Sequence, residues 1–159
     1  MASDLKISGL VEESIVDGPG LRFVVFTQGC PHHCKGCHNP QTHDFDGGYW
    51  ISVDEILEKF NEDPLLSGIT FSGGEPFCQP GPLGTLAEAV KAKGKNVFVY
   101  SGYTFEQLQE MARTQPDVDR LLRLSDTLVD GPFVEELKDL DLQFRGSSNQ
   151  RIIDLAEYK

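Results

Sequence analysis

A chain of 159 residues, 39% hydrophobic and 25% charged, has the size and composition of one soluble globular domain, expected to span residues 1–159. Its net charge of -11, with no Lys/Arg-rich stripe to offset the acids, argues against nucleic acid as a partner. No apolar run approaches a membrane span, and Met1-Ala2-Ser3-Asp4 lacks the basic and apolar regions of a signal peptide. The expected address is therefore the cytoplasm, where thiols stay reduced and available to metal.

In chain order, Leu5 to Val16 alternates weakly and reads as a short hairpin or an edge strand, and Val16-Asp17-Gly18-Pro19-Gly20 is a turn. Asp17 and Arg22 are read as fixing the loop at this point. Leu21 to Gln28 is apolar on both faces, as a strand covered on both sides should be. It leads into Cys30-Pro31-His32-His33-Cys34-Lys35-Gly36-Cys37, a loop closed by Asn39-Pro40. Ser52 and Glu55 have capping-box spacing and predict a helix to about Asn61, with Phe45, Tyr49 and Trp50 expected in core or helix packing. Ile69 to Ser72 is a second strand and ends in Gly73-Gly74-Glu75-Pro76. Leu83, Leu86, Ala87 and Val90 share one side of a helix predicted over 81–93, which Gly94 stops. Asn96 to Tyr100 is a third strand, followed by Ser101-Gly102. Thr104 and Gln107 repeat the capping-box spacing and open a helix to about Arg113, and a shorter one is expected over Val118 to Leu124. Thr127 to Asp130 is a fourth strand ending in Gly131-Pro132. A helical turn over Phe133 to Asp139 and extended pieces at Leu142–Phe144 and Arg151–Leu155 complete the chain.

Strand, loop and helix alternate at intervals of roughly 25 to 45 residues, the rhythm of parallel βα units. Each glycine-rich or polar motif falls at the C-terminal end of a strand, where barrels and open α/β sheets bind their ligands. Eight units need about 250 residues, and this chain allows about five. The expected fold is thus α/β, a partial, open TIM-like barrel of about five to six parallel strands. A site left exposed along one side suits a macromolecular substrate.

Three of the four cysteines fall within eight residues, too close for an ordinary disulfide framework but suited to wrapping one metal centre. Three sulfurs on a four-coordinate centre leave one position open, which separates a catalytic site from a structural one. Spacing alone admits an iron–sulfur centre or a structural zinc with His32, His33, His38 or Cys78 as fourth ligand. Otherwise His32 and His33 read as exposed loop residues, and Cys78 as a buried or semi-exposed thiol.

Cys-x3-Cys-x2-Cys after the first strand, with Gly-Gly-Glu-Pro after the second, resembles the radical S-adenosylmethionine enzymes. Ser14-Ile15-Val16-Asp17-Gly18-Pro19-Gly20-Leu21-Arg22 before the cysteines, and Cys37-His38-Asn39 at their end, narrow the resemblance to the glycyl-radical-enzyme activases. Within these, Val99-Tyr100-Ser101-Gly102-Tyr103, Leu128-Val129-Asp130-Gly131-Pro132-Phe133 and Phe144-Arg145-Gly146-Ser147-Ser148-Asn149-Gln150 are similar to the branch that serves anaerobic ribonucleoside-triphosphate reductase. The resemblance runs from about residue 14 to 155.

The resemblance implies that Cys30, Cys34 and Cys37 hold three irons of a 4Fe-4S cluster, whose fourth iron binds the amino and carboxylate groups of S-adenosylmethionine. Reductive cleavage would give methionine and a 5′-deoxyadenosyl radical, which would take a hydrogen atom from a glycine of the reductase. A low-potential donor such as flavodoxin would supply the electron. Gly73 and Gly74 would let the backbone approach the methionyl end, and backbone carbonyls there, with Glu75, would accept from its ammonium. Ser101 and Gly102 would line the rim, and Asp130 would either reach the ribose or cap the helical turn after it. Many family members carry an aromatic residue just before the third cysteine. This chain has Gly36 there, so the adenine side would fall to Gly36, Cys37 and His38. Arg145 to Gln150 is either a solvated loop or a surface that meets the reductase or completes the site. An activase of another glycyl-radical enzyme, such as pyruvate formate-lyase, is the neighbouring reading. A zinc-binding structural module and a simple electron-transfer protein are the readings from other classes.

Overall fold

A computed structural model describes residues 4–15, 18–32, 44–139, 144–145, 147–156 and 158. Its strands are β1 (Asp4–Ser14), β2 (Arg22–Thr27), β3 (Tyr49–Ser52), β4 (Gly68–Gly73), β5 (Asn96–Tyr100), β6 (Thr127–Asp130) and β7 (Arg151–Asp154). Among the described residues these seven form one sheet in the order β3-β1-β2-β4-β5-β6-β7. The four central strands β2, β4, β5 and β6 are mutually parallel. At the margins, β1 runs antiparallel to β2, β3 to β1, and β7 to β6.

Four parallel strands replace the five to six expected. A parallel link needs a crossover of a dozen or more residues, and the described residues hold three such crossovers. The first carries helix α1 (Val53–Asn61), the second α2 (Pro80–Ala92), and the third α3 (Phe105–Ala112) with α4 (Pro116–Leu124). The architecture is a mixed α/β sheet with a parallel centre. Among the described residues, no helix is long and apolar enough to cross a membrane.

Local signals place the helices. Ser52 Oγ accepts from Glu55 N (3.1 Å) to cap α1, and at α3 Thr104 and Gln107 cap each other reciprocally (3.2 and 2.8 Å). Alternation places the core. Val25, Phe71, Val99 and Leu128 stand side by side across the four parallel strands, and all are fully buried. Ile56 of α1, Leu86 of α2, Leu108 of α3 and Leu121 of α4 join the same cluster. The opposite face carries Arg22, Val24, Thr70 and Phe98, also withdrawn from solvent. Arg22 donates from Nε to Thr70 Oγ1 (2.7 Å), from Nη1 to Pro19 O (2.9 Å) and from Nη2 to Ile69 O (2.8 Å). Burial lowers its guanidinium to about 10. It lies at the N-terminal ends of the strands, where it ties the β1–β2 turn to β4.

Two sequence expectations change. Leu5 to Ser14, within the stretch read as a hairpin or an edge, is neither. It is the long strand β1, paired on both sides, with register shifts between Ile7 and Gly9 and between Val11 and Ser14. Tyr49 and Trp50, expected in packing, belong to the edge strand β3 and are 49% and 65% exposed, as is Phe45 before them at 51%. Of that strand only Ile51 is buried; Tyr49, on the same face, lies at the strand's exposed start.

Candidate metal centre at the strand ends

The parallel strands end at Thr27, Gly73, Tyr100 and Asp130 on one side of the sheet, and each following segment is stitched to its neighbour. Gly74 N donates to Thr27 O (2.8 Å), Glu75 N to Gly29 O (2.8 Å), Ser101 N to Val129 O (2.9 Å) and Gly131 N to Tyr103 O (2.9 Å). Cys30 sits on this rim, 7% exposed. Cys34, Gly36, Cys37 and His38 lie outside the described residues, as do Asp17 and His33.

Gly73 and Gly74 are required by the protein itself. Gly73 has φ +90°, and a Cβ there would stand 2.7 Å from Thr27 N. A Cβ on Gly74 would stand 2.4 Å from Gly29 O. The pair therefore lets β4 close against the end of β2 immediately before Cys30.

Glu75 is fully buried, and both of its oxygens are engaged. Oε1 lies 2.6 Å from His32 Nε2 and accepts from Gly102 N (2.8 Å). Oε2 accepts from Ser101 Oγ (2.8 Å) and Phe77 N (3.1 Å). Paired with an ionised carboxylate, which only accepts, His32 Nε2 is assigned as the donor. A buried carboxylate is tolerated only when so satisfied. In this arrangement Glu75 joins the loops after β2, β4 and β5. Ser101 is similarly committed, its Oγ also accepting from Tyr103 N (3.0 Å). His32, expected as an exposed loop residue, has a side chain only 16% exposed. Its ring packs edge-on against Tyr103 at 4.6 Å and occupies the space a side chain on Gly102 would need.

Asp130 is 1% exposed. Its Oδ2 accepts from Phe105 N (2.7 Å), capping α3 and not the turn that follows β6. Its Oδ1 accepts from Arg151 Nε (3.0 Å), and Arg151 Nη2 pairs with Oδ2 and with Glu106 Oε1 (2.6 Å). Hydrogen bonds donated to Asp130 first, then to Glu106, hold the Arg151 guanidinium above its ordinary value. Arg151 was not singled out in the sequence. Asp130→Ala is expected to lower stability by about 2 kcal/mol, since Phe105 N and the half-exposed Arg151 each lose a charged partner. Urea unfolding of this variant beside Arg151→Ala checks the assignment, which fails if neither midpoint moves.

Ser147 to Gln150 is docked through Ser147, Asn149 and Gln150, although Ser148 and Asn149 stay exposed. Ser147 is fully buried and accepts from Val134 N (3.2 Å), while Asn149 Nδ2 donates to Pro132 O (2.9 Å) and Gln150 Nε2 to Gly131 O (3.0 Å). This loop braces the segment that follows β6. Cys78, an exposed residue, lines a pocket of about 240 Å3 with Lys6, Gln28, Phe45, Trp50 and Gln79. Partial desolvation, with the charges of Glu75 and Cys30 adding to it, pushes its thiol up to about 11, so it is neutral at pH 7.

The family model for a 4Fe-4S single cluster domain matches residues 16–153. The anaerobic ribonucleoside-triphosphate reductase-activating protein of Escherichia coli (strain K12) is 37% identical over 144 residues, which cover 86% of this chain and 90% of that protein. The proteins of the same name from Vibrio cholerae and Enterobacteria phage T4 are 33% and 30% identical, over 87% and 86% of this chain and 90% and 86% of theirs. The chain belongs to the family of anaerobic ribonucleoside-triphosphate reductase-activating proteins. Among solved structures, the crystal structure of QueE from Escherichia coli matches with a TM-score of 0.48 and 16% identity, covering 64% of this chain and 54% of that one.

In this activating-protein relative the donor chemistry fits the cluster. Three thiolates in one short loop are soft ligands suited to iron–sulfur. The first of them, Cys30, is buried and directly follows Gly29, whose carbonyl lies against Gly74. Of the imidazoles considered as a zinc ligand, His32 has its Nε2 turned to Glu75 and away from metal duty.

Proposed function

We propose that this protein is a radical S-adenosylmethionine activase that generates the glycyl radical on anaerobic ribonucleoside-triphosphate reductase, with Cys30, Cys34 and Cys37 as cluster ligands. The observation that carries this reading is identity to activating proteins of that reductase along most of the chain. The motifs gathered on one rim agree with it. When bound, the reduced cluster and S-adenosylmethionine supply one-electron cleavage of the sulfonium, and with it the means to remove a hydrogen atom from a glycine.

The chain's own residues supply placement. Cys30, Cys34 and Cys37 would hold the cluster through three sulfurs and leave one iron for the sulfonium compound, whose chelation would orient the reacting atom. Backbone carbonyls at Gly73 and Gly74 would receive its ammonium, and Gly36, Cys37 and His38 would serve the adenine side. Glu75, Ser101 and Asp130, whose side chains are already engaged, hold the rim in shape around it. We further assign an open βα-barrel curvature to the sheet and a single unit to residues 1–159. A low-potential donor of the flavodoxin type and a cytoplasmic setting complete the proposal.

Anaerobic reconstitution with iron and sulfide, followed by reduction and addition of S-adenosylmethionine and the reductase, tests the reading by electron paramagnetic resonance. A glycyl signal on the reductase is the expected result. A colourless zinc-loaded protein, or a cluster that cycles electrons and leaves S-adenosylmethionine intact, would overturn it. A signal on pyruvate formate-lyase and none on the reductase would move the protein to the neighbouring activase.

A further inference from the structure

We propose that His32 is a positioning residue for the cluster: clasped by Glu75 and Tyr103, it anchors the chain that leaves Cys30. The inference rests on reading Cys30, Cys34 and Cys37 as the ligands. His32 stands two residues from each of the first two cysteines. Two residues span at most about 7 Å, so a fixed imidazole restrains the segment that leaves the Cys30 sulfur.

The clasp is built from every side. Glu75 Oε1 holds Nε2 at 2.6 Å, and the Tyr103 ring meets the imidazole edge-on at 4.6 Å with an interplanar angle of 77°. Gly102 leaves the floor open, since a Cβ there would stand 2.3 Å from His32 Cδ2. Each contact is itself immobilised. Glu75 is held by Ser101 Oγ, Gly102 N and Phe77 N, and Tyr103 by Ser101 Oγ on its N–H and Gly131 N on its carbonyl. The imidazole therefore couples the segment after Cys30 to the ends of β4, β5 and β6. A residue needed only to fill the cavity would not require an N–H aimed at a buried carboxylate. Outer partners of this kind orient metal ligands and typically govern affinity by ~10- to 100-fold.

The test uses reconstituted His32→Ala, His32→Gln and His32→Phe beside wild type. The readouts are iron and sulfide content, the electron paramagnetic resonance spectrum of the reduced cluster, and the dissociation constant for S-adenosylmethionine from its spectral shift. Gln places an amide N–H near the Nε2 position, and Phe keeps the ring without the donor. His32→Ala and His32→Phe are expected to change the reduced-cluster line shape and weaken S-adenosylmethionine binding by about tenfold, with His32→Gln restoring most of both. If His32→Ala cannot hold a cluster at all, recovery of the cluster in His32→Gln supports the proposal, and no recovery overturns it. Wild-type spectra and affinity in His32→Ala overturn it, and so does a His32→Gln as impaired as His32→Phe. Cys34→Ala, measured in parallel, separates the two ideas, because a full cluster in that variant refutes the ligand reading whatever His32 does.

Discussion

Cys30→Ala is expected to leave the reconstituted protein with at least about tenfold less iron per chain, while Cys78→Ala retains the wild-type content. The two thiols differ in setting. Cys30 is buried on the rim beside the glycine pair, whereas Cys78 is exposed and faces the pocket beside Trp50 and Phe45. Cys30 is small, so losing its sulfur costs the apoprotein only about 1 kcal/mol of packing. Urea unfolding of the apo variant thus separates a lost ligand from a lost fold. Cys34→Ala and Cys37→Ala should match Cys30→Ala in iron content. Full iron in Cys30→Ala, or its loss in Cys78→Ala, would reverse the ligand assignment.

Gly74→Ala is expected to destabilise the apoprotein by about 3 kcal/mol and to reduce cluster content with it. The new methyl would stand 2.4 Å from Gly29 O, the same oxygen that accepts from Glu75 N at 2.8 Å. Neither group is a flexible side-chain end, so relief must come from moving the end of β2, next to Cys30. Gly73→Ala should behave similarly, because φ +90° adds backbone strain to a 2.7 Å approach to Thr27 N. Unfolding midpoints and iron analysis of both variants check this. A Gly74→Ala protein with full iron and a stability within about 0.5 kcal/mol of wild type, the size of an ordinary surface substitution, would show that the close approach is not needed.

What the sequence revealed depended on the range of each signal. The capping boxes at Ser52 and Thr104 involve residues three apart, and both helices start where that spacing puts them. The four parallel strands were visible as apolar runs, and α2 lies within a residue of its predicted span. The edge strand β3 escaped because four residues with two exposed aromatics carry no period that distinguishes them from core packing. The glycine pair was legible as a tight spot, but the atoms that make it tight belong to the end of β2, a whole crossover earlier in the chain. Glu75 and His32 are brought together only by the adjacency of β2 and β4, and Asp130 and Arg151 only by the pairing of β6 and β7. No local pattern foretells a contact that a sheet's strand order creates. Ser147 illustrates the same point, since its burial follows from docking on Val134 and not from its own neighbours.

The antiparallel strand at the far margin has a consequence for how such a protein can be enlarged. β7 occupies the hydrogen-bonding side of β6 where a fifth parallel strand would have to add, and its first residue is bolted to Asp130 through Arg151. Duplicating a βα unit at this end, whether by gene fusion or by design, would first have to evict β7 and strand a buried carboxylate without its cation. Growth of this molecule is thus terminated by a lock of its own making, and inserted segments will be accommodated in loops before they are accommodated in the sheet.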